Sequence, residues 1–177
     1  MKKIMFNDKY GLTQAVLEGR KNMTRRLAYK ELFEDENGYL CWTGKFKPSA
    51  YKPGDVVAVA QSYEAAGISF ISPPDLQWGC TRDMHGFGNK MFVRADLMPH
   101  QIRITNVRLE RLQDISDDDC LREGIIKMTF DTFSFDSWKF FTHNPREAFA
   151  ALIDKVSGKG TWNSNPFVFV YEFELVK

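Results

Sequence analysis

Residues 18–26 read Glu-Gly-Arg-Lys-Asn-Met-Thr-Arg-Arg and set four fixed cations, Arg20, Lys21, Arg25 and Arg26, around one hydroxyl, Thr24. Guanidinium and ammonium groups at this density suit a phosphate or another anionic or polar ligand. A lysine beside a hydroxyl is also a base and nucleophile pair, provided the amine's pKa is lowered, as like-charge repulsion from Arg20, Arg25 and Arg26 would do. Part of the cluster has a plainer reading, because cations at the end of a helix complement its dipole. A solvated basic turn and a ligand site are both compatible with these residues alone.

The elements that must position the cluster can be read from periodicity and caps. Leu12, Ala15, Val16 and Gly19 recur at helical spacing, which predicts a first helix ending near Gly19 and extended chain over 24–27. Residues 28–50 combine charge, aromatics and Asn37-Gly38, the pattern of a hairpin or a loop. The Lys52-Pro53-Gly54-Asp55 turn launches a β-branched strand over 56–60. From 64 to 89, four glycines and the pair Pro73-Pro74 predict a long excursion, with extended structure resuming at Met91-Phe92-Val93-Arg94. Ile102 and Ile104 alternate with Arg103 and Thr105 and hand over to Val107 and Leu109, which predicts a half-buried strand, the longest in the chain. Ser116, followed by Asp117, Asp118 and Asp119, starts a second helix that Gly124 stops. Asn144-Pro145 starts a third, with Phe149, Leu152, Ile153 and Val156 as its apolar stripe and Ser157-Gly158 as its end. Residues 167–176 close the chain as an aromatic and β-branched strand.

Length and charge bound the function. The chain has 177 residues, 44% of them hydrophobic, which suits one globular domain spanning 1–177. A net charge of +1 excludes coating nucleic acid by bulk electrostatics, so any nucleic-acid role is local and pocket-like. The three cysteines, Cys41, Cys80 and Cys120, are far apart and odd in number, which fits a reducing compartment better than a disulfide framework. The apolar run at the N-terminus is too short for a signal peptide and no segment approaches a membrane span, so a cytoplasmic protein with no membrane partner is expected. Strands separated by irregular loops, with helices inserted rather than alternating, predict an α+β domain on a mixed or antiparallel barrel.

The basic segment, written Glu-Gly-Arg-Lys-x-x-Thr-Arg-Arg, resembles the N-terminal signature of the ASCH superfamily, and especially its phage-associated branch. Three further blocks are similar in the same order: Lys52-Pro53-Gly54-Asp55-Val56-Val57, then Val107 to Ser116 continuing to Arg122-Glu123-Gly124-Ile125, and Trp162-Asn163-x-Asn165-Pro166-x-Val168 running into Glu172-Phe173. Residues 28–50, 64–90 and 127–143 lie outside these blocks. The resemblance implies a PUA-like β-barrel with about three inserted helices, and binding of a nucleoside, a nucleotide or single-stranded RNA. It also implies an alternative, because one ASCH branch is an amidohydrolase that deacylates N4-acetylcytidine with a Lys, a Thr and a Glu. Matched motif to motif, these catalytic residues fall on Lys21, Thr24 and Glu123. A third, weaker implication is a phage or mobile-element accessory protein that binds another protein.

The same trio also makes a binding site without catalysis, in which Lys21 and the arginines hold an anion or a base edge, Thr24 donates a hydrogen bond and Glu123 pairs with a cation. Where the branch commonly has Trp-Val-Arg-Glu-Thr, this chain has Ala58-Val59-Ala60-Gln61-Ser62, which leaves Gln61 as the group able to meet a nucleobase edge. Trp162, Asn163 and Asn165 read either as a rim that stacks and hydrogen-bonds an unpaired base or as a structural turn with Trp162 packed inside. Cys80, Asp83 and His85 are close in sequence, but their spacing matches no zinc pattern, so neither a metal nor a cofactor is expected.

Overall fold

In the computed structural model, residues 1–34, 36, 40–46, 48–71, 79–129, 131–136 and 139–176 are described. The elements follow in the order β1 (Lys2–Ile4), α1 (Leu12–Leu17), β2 (Met23–Leu27), β3 (Lys30–Glu34), β4 (Leu40–Phe46), β5 (Val56–Val59), β6 (Phe70–Ile71), β7 (Gly79–Cys80) and β8 (Gln101–Arg111). Then come α2 (Asp117–Arg122), β9 (Ile126–Lys127), β10 (Phe133–Ser134), α3 (Pro145–Ser157), α4 (Thr161–Ser164) and β11 (Phe167–Leu175). The class is α+β.

Five strands make the main sheet, in the order β1-β5-β8-β11-β2. Its long centre is β8 against β11, antiparallel, with Phe167 opposite Arg111 and Leu175 opposite Ile102. A register shift at Glu172/Phe173 lets Glu172 stand beside Asn106 while Phe173 meets Ile104 in the core. Among the described strands, only β1 and β5 run parallel. Ile102, Ile104, Val168 and Val170 are buried with Phe149 and Leu152 of α3, so the helix stripe covers one face of the sheet. The expected closed barrel is not formed by backbone pairing among the described residues. β1 and β2 are the two edges of an open sheet, and side chains bridge the seam between them: Tyr51 Oη donates to Lys3 O at 2.9 Å and Arg26 Nη2 donates to Met5 O.

Local chemistry accounts for the helix limits. Ser116 Oγ accepts from Asp119 N at 3.2 Å, and Asn144 Oδ1 from Arg146 N at 2.8 Å with Pro145 in the first turn. Gly124 ends α2 at φ +105°, a conformation that other residues rarely adopt. Residues 28–50 contain the β3–β4 antiparallel pair, resolving hairpin against loop; Asn37 and Gly38, its expected turn, lie outside the described residues. Pro73 and Pro74 also lie outside them.

Three details differ from expectation. Met91 and Phe92 sit in a single 3₁₀ turn, Lys90–Phe92, capped by Asn89 Oδ1, and extended chain resumes only at Val93. A fourth helix, α4, occupies the Trp162-Asn163 segment; Asp154 starts it by accepting from Gly160 N at 3.0 Å and Trp162 N at 2.8 Å. The excursion before β8 carries a small core of its own, with Tyr63, Val93 and Met98 buried against Ala58 and Ala60.

Candidate functional site

A cavity of about 340 Å³, within the range of small-molecule sites, is lined by Lys21, Thr24, Arg25, Arg26 and Glu123. Its apolar wall is Phe149, Leu152, Ile153 and Val156 of α3. Val156, the last residue of the apolar stripe, stands 40% exposed. The cavity runs along the free edge of β2. Asn22 O accepts from Phe173 N and Ala28 N donates to Phe167 O, so even-numbered residues of this segment bond to β11. Strand alternation then turns the backbone N–H and C=O groups of Met23, Arg25 and Leu27 toward the edge that no described strand covers.

Lys21 is drawn inward by its backbone. Its N–H donates to Ala15 O of α1, and Asn22 N donates to Arg122 O of α2, which holds residues 21 and 22 between the two helix ends. The side chain is 2% exposed, and Nζ donates to Glu123 Oε2 at 2.6 Å and to Glu123 O at 2.7 Å. Burial pushes the Lys21 amine below its ordinary pKa; Glu123 pulls the other way, and the nearby charges of Arg26 and Arg25 add to the lowering. Depression prevails, with desolvation its main cause and the like-charge repulsion expected from the sequence a minor one.

Glu123 is the C-terminal cap of α2 and lies over Gly124, whose missing Cβ would stand 3.2 Å from Leu12 Cδ2 and 3.6 Å from Lys21 Cδ. Its second oxygen accepts from Arg25 Nη1 at 3.2 Å. Arg25 is 1% exposed and also pairs with Glu110 at 2.6 Å and Asp119 at 2.9 Å. Burial works against its charge, but these carboxylates outweigh burial and raise its pKa. Arg108 and Arg122 continue the network, meeting at Asp119 and Glu172. Arg25 is therefore occupied by protein carboxylates and is not available to an anionic ligand, contrary to the sequence expectation.

Thr24 is 5% exposed and its hydroxyl makes no hydrogen bond among the described residues. The only fully buried side-chain polar atom without a partner there is Gln61 Oε1, so the Thr24 hydroxyl opens on the cavity it lines. Arg26, exposed at the rim, lies over the Phe6 ring at 5.8 Å and has no carboxylate partner among the described residues.

The remaining sequence candidates lie elsewhere. Arg20 pairs with Glu18 at 2.5 Å on the surface and lines a separate recess. Gln61 lines another, with Asp8, Thr13 and Gln14, and does not reach Lys21's cavity. Trp162 packs edge-on against Phe149, and Asn165 Oδ1 accepts from Gln113 N at 2.9 Å while its backbone adopts φ +42°. These two side chains build a turn rather than a ligand rim, and Asn163 is exposed beside them. Cys120 is fully buried, which pushes its thiol up to about 12 and removes it as a nucleophile at neutral pH. No group of three His, Cys, Asp or Glu able to hold a metal occurs among the described residues, and none of their helices is long and apolar enough to cross a membrane. Sequence reasoning does not reach Glu110 and Asp119 as holders of Arg25, because an aspartate run after Ser116 reads as a helix start.

Compared with protein-family models, with curated proteins and with solved structures, the chain matches none.

Proposed function

We propose that this is an ASCH-type protein whose Lys21–Thr24–Glu123 cavity binds the base of a nucleoside, a nucleotide or unpaired RNA. Its open sheet is then a PUA-like barrel parted along the β1–β2 seam. The observation that carries this reading is one unpaired hydroxyl, Thr24, opening on a cavity whose buried charges are already matched. A site whose charges are internally neutralised suits a neutral, polar, planar ligand better than a free anion. The edge groups of Arg25 and Leu27 supply further donors and acceptors for a base edge, and the α3 wall supplies apolar contact for its face. Titration calorimetry of the protein with cytidine and N4-acetylcytidine tests it. Micromolar to low-millimolar binding that weakens about fivefold in Thr24→Val supports the reading, the loss being that of one ordinary hydrogen bond. Binding unaffected by Thr24→Val opposes it.

The lowered pKa of Lys21 favours a second reading, deacylation of an N4-acylated cytidine. There, neutral Lys21 accepts the Thr24 proton, the alkoxide attacks the acyl carbon, and the exocyclic amine leaves with that proton. Water then hydrolyses the acyl-threonine. This requires Lys21 Nζ to move from Glu123 to Thr24 when the ligand enters, since the two are not hydrogen-bonded without it. That requirement places binding first. Release of cytidine that is abolished in Thr24→Val would promote the second reading over the first.

A further inference from the structure

A second cavity, of about 310 Å³, lies in the β1–β2 seam, and it shares Met5, Arg26, Leu27 and Tyr29 with the Lys21 cavity. The two spaces therefore abut, with Arg26 at their boundary. The seam cavity has a different chemistry. Its wall is aromatic: Tyr51 and Tyr171 meet edge to face at 5.2 Å, Phe169 lies 6.4 Å from Tyr171, and Tyr29 stands 64% exposed at the mouth.

The hydroxyls of Tyr51 and Tyr171 are engaged elsewhere. Tyr51 donates to Lys3 O, and Tyr171 Oη meets Ser49 Oγ at 2.9 Å and Ala50 N at 3.2 Å. What this wall offers a ligand is ring surface. Charge is unbalanced as well. Arg26 rests on the Met5 carbonyl, whereas Lys3 sends Nζ away to Met91 O at 2.6 Å and Val93 O at 2.7 Å, neither of which lines the seam. No carboxylate lines the seam cavity among the described residues. The Lys21 cavity, by contrast, holds matched charges.

Ring surface for stacking beside a cation with no carboxylate partner among the described residues is the combination that single-stranded nucleic acid requires. Resting on the nucleobase reading above, we infer that the ligand is at least two nucleotides long. One base enters the Lys21 cavity, the phosphodiester lies at Arg26, and the neighbouring base stacks in the seam against Phe169 and Tyr51. Arg26 in this arrangement replaces its Met5 carbonyl contact, or shares it, with a phosphate oxygen; no covalent step is involved.

Calorimetric titrations with cytidine and with the dinucleotide of two cytidines decide the matter. The dinucleotide should bind about tenfold or more tightly, as expected for one added stacked base. Its affinity should fall with salt at a logarithmic slope of about −0.7, that of one single-strand phosphate contact, and the slope should vanish in Arg26→Gln. Phe169→Leu, which keeps an apolar side chain outside the Lys21 cavity, should remove most of the dinucleotide's advantage and leave cytidine binding within about twofold. Equal affinity for cytidine and the dinucleotide would overturn the seam subsite while leaving the nucleobase reading standing. An advantage that survives Phe169→Leu would overturn the placement of the second base. Failure of both ligands to bind would overturn the inference together with the reading on which it rests.

Discussion

Replacing Glu123 by glutamine removes the carboxylate that two buried cations share. Lys21 then keeps only the Glu123 backbone carbonyl and whatever the amide oxygen offers, at 2% exposure, whereas Arg25 retains Glu110 and Asp119. Leaving one member of a buried pair uncompensated costs about 3–5 kcal/mol. For a chain of this length that corresponds to a melting temperature lower by roughly 6–20 °C. Lys21→Met is expected to cost less, about 1.5–3 kcal/mol, because Glu123 keeps Arg25 as its partner. The double variant should cost less than the sum of the two by more than about 1.5 kcal/mol, since it removes the stranded charge.

The Glu123→Gln deficit should also shrink as pH rises. Lys21 is already depressed below its unfolded value of 10.5, and losing Glu123 depresses it further. Between the folded value and 10.5 the unfolded chain binds the extra proton, so stability rises with pH in that window. Urea unfolding followed by tryptophan fluorescence, run from pH 7 to 9.5, measures all of this. Additive costs in the double variant, a larger loss for Lys21→Met than for Glu123→Gln, or a deficit that grows with pH would each refute the reasoning.

Other outcomes follow from the same geometry. Thr24→Val should change stability by less than about 0.5 kcal/mol, because the hydroxyl has no partner to lose, and this separates its role in the ligand site from any structural one in a chemical-denaturation curve. Gly124→Ala should cost about 2 kcal/mol, since alanine is strained at φ +105° and its Cβ would press on Leu12; equal stability by calorimetry would contradict the turn geometry. Asp154→Ala should cost about 1 kcal/mol by uncapping α4, and the Asp154 contribution, present above the unfolded value of 3.8, should disappear as pH falls through its lower folded value, which comparative acid titrations of the two proteins would show. Cys120 should resist iodoacetamide at pH 8 in the folded protein and react after unfolding, as peptide mapping reads directly.

The parts of the fold that were legible in the sequence are those whose causes are local. Ser116, Gly124, Asn144 and Pro145 act on their own helix ends, and alternation along 101–111 marks the long strand because its period belongs to the strand itself. α4 was missed for the same reason: its starting carboxylate, Asp154, sits six and eight residues away in the preceding helix, and four residues carry no period to read. Met91 and Phe92 misled because an apolar pair fits a strand as well as a single turn.

At the site, Lys21 and Glu123 are 102 positions apart, and only the motif resemblance put them together. The occupation of Arg25 by Glu110 depends on the register of β2, β11 and β8, which no local pattern encodes: Leu27 opposite Val168, and Val168 opposite Glu110, bring the carboxylate within reach from the far side of β11. The seam cavity likewise arises from an open edge that a barrel expectation conceals.

Nucleobase binding in the Lys21 cavity is tested most directly by methyl NMR of the protein titrated with cytidine. Leu12, Leu152, Ile153, Val156 and Val168 line the cavity, while Ile68 and Leu97 belong to the small core of the excursion. Ring-current shifts concentrated on the first set, saturating with cytidine and reduced in Thr24→Val, are the predicted result. Shifts centred on Ile68 and Leu97, or no shifts in the first set at millimolar cytidine, would contradict it.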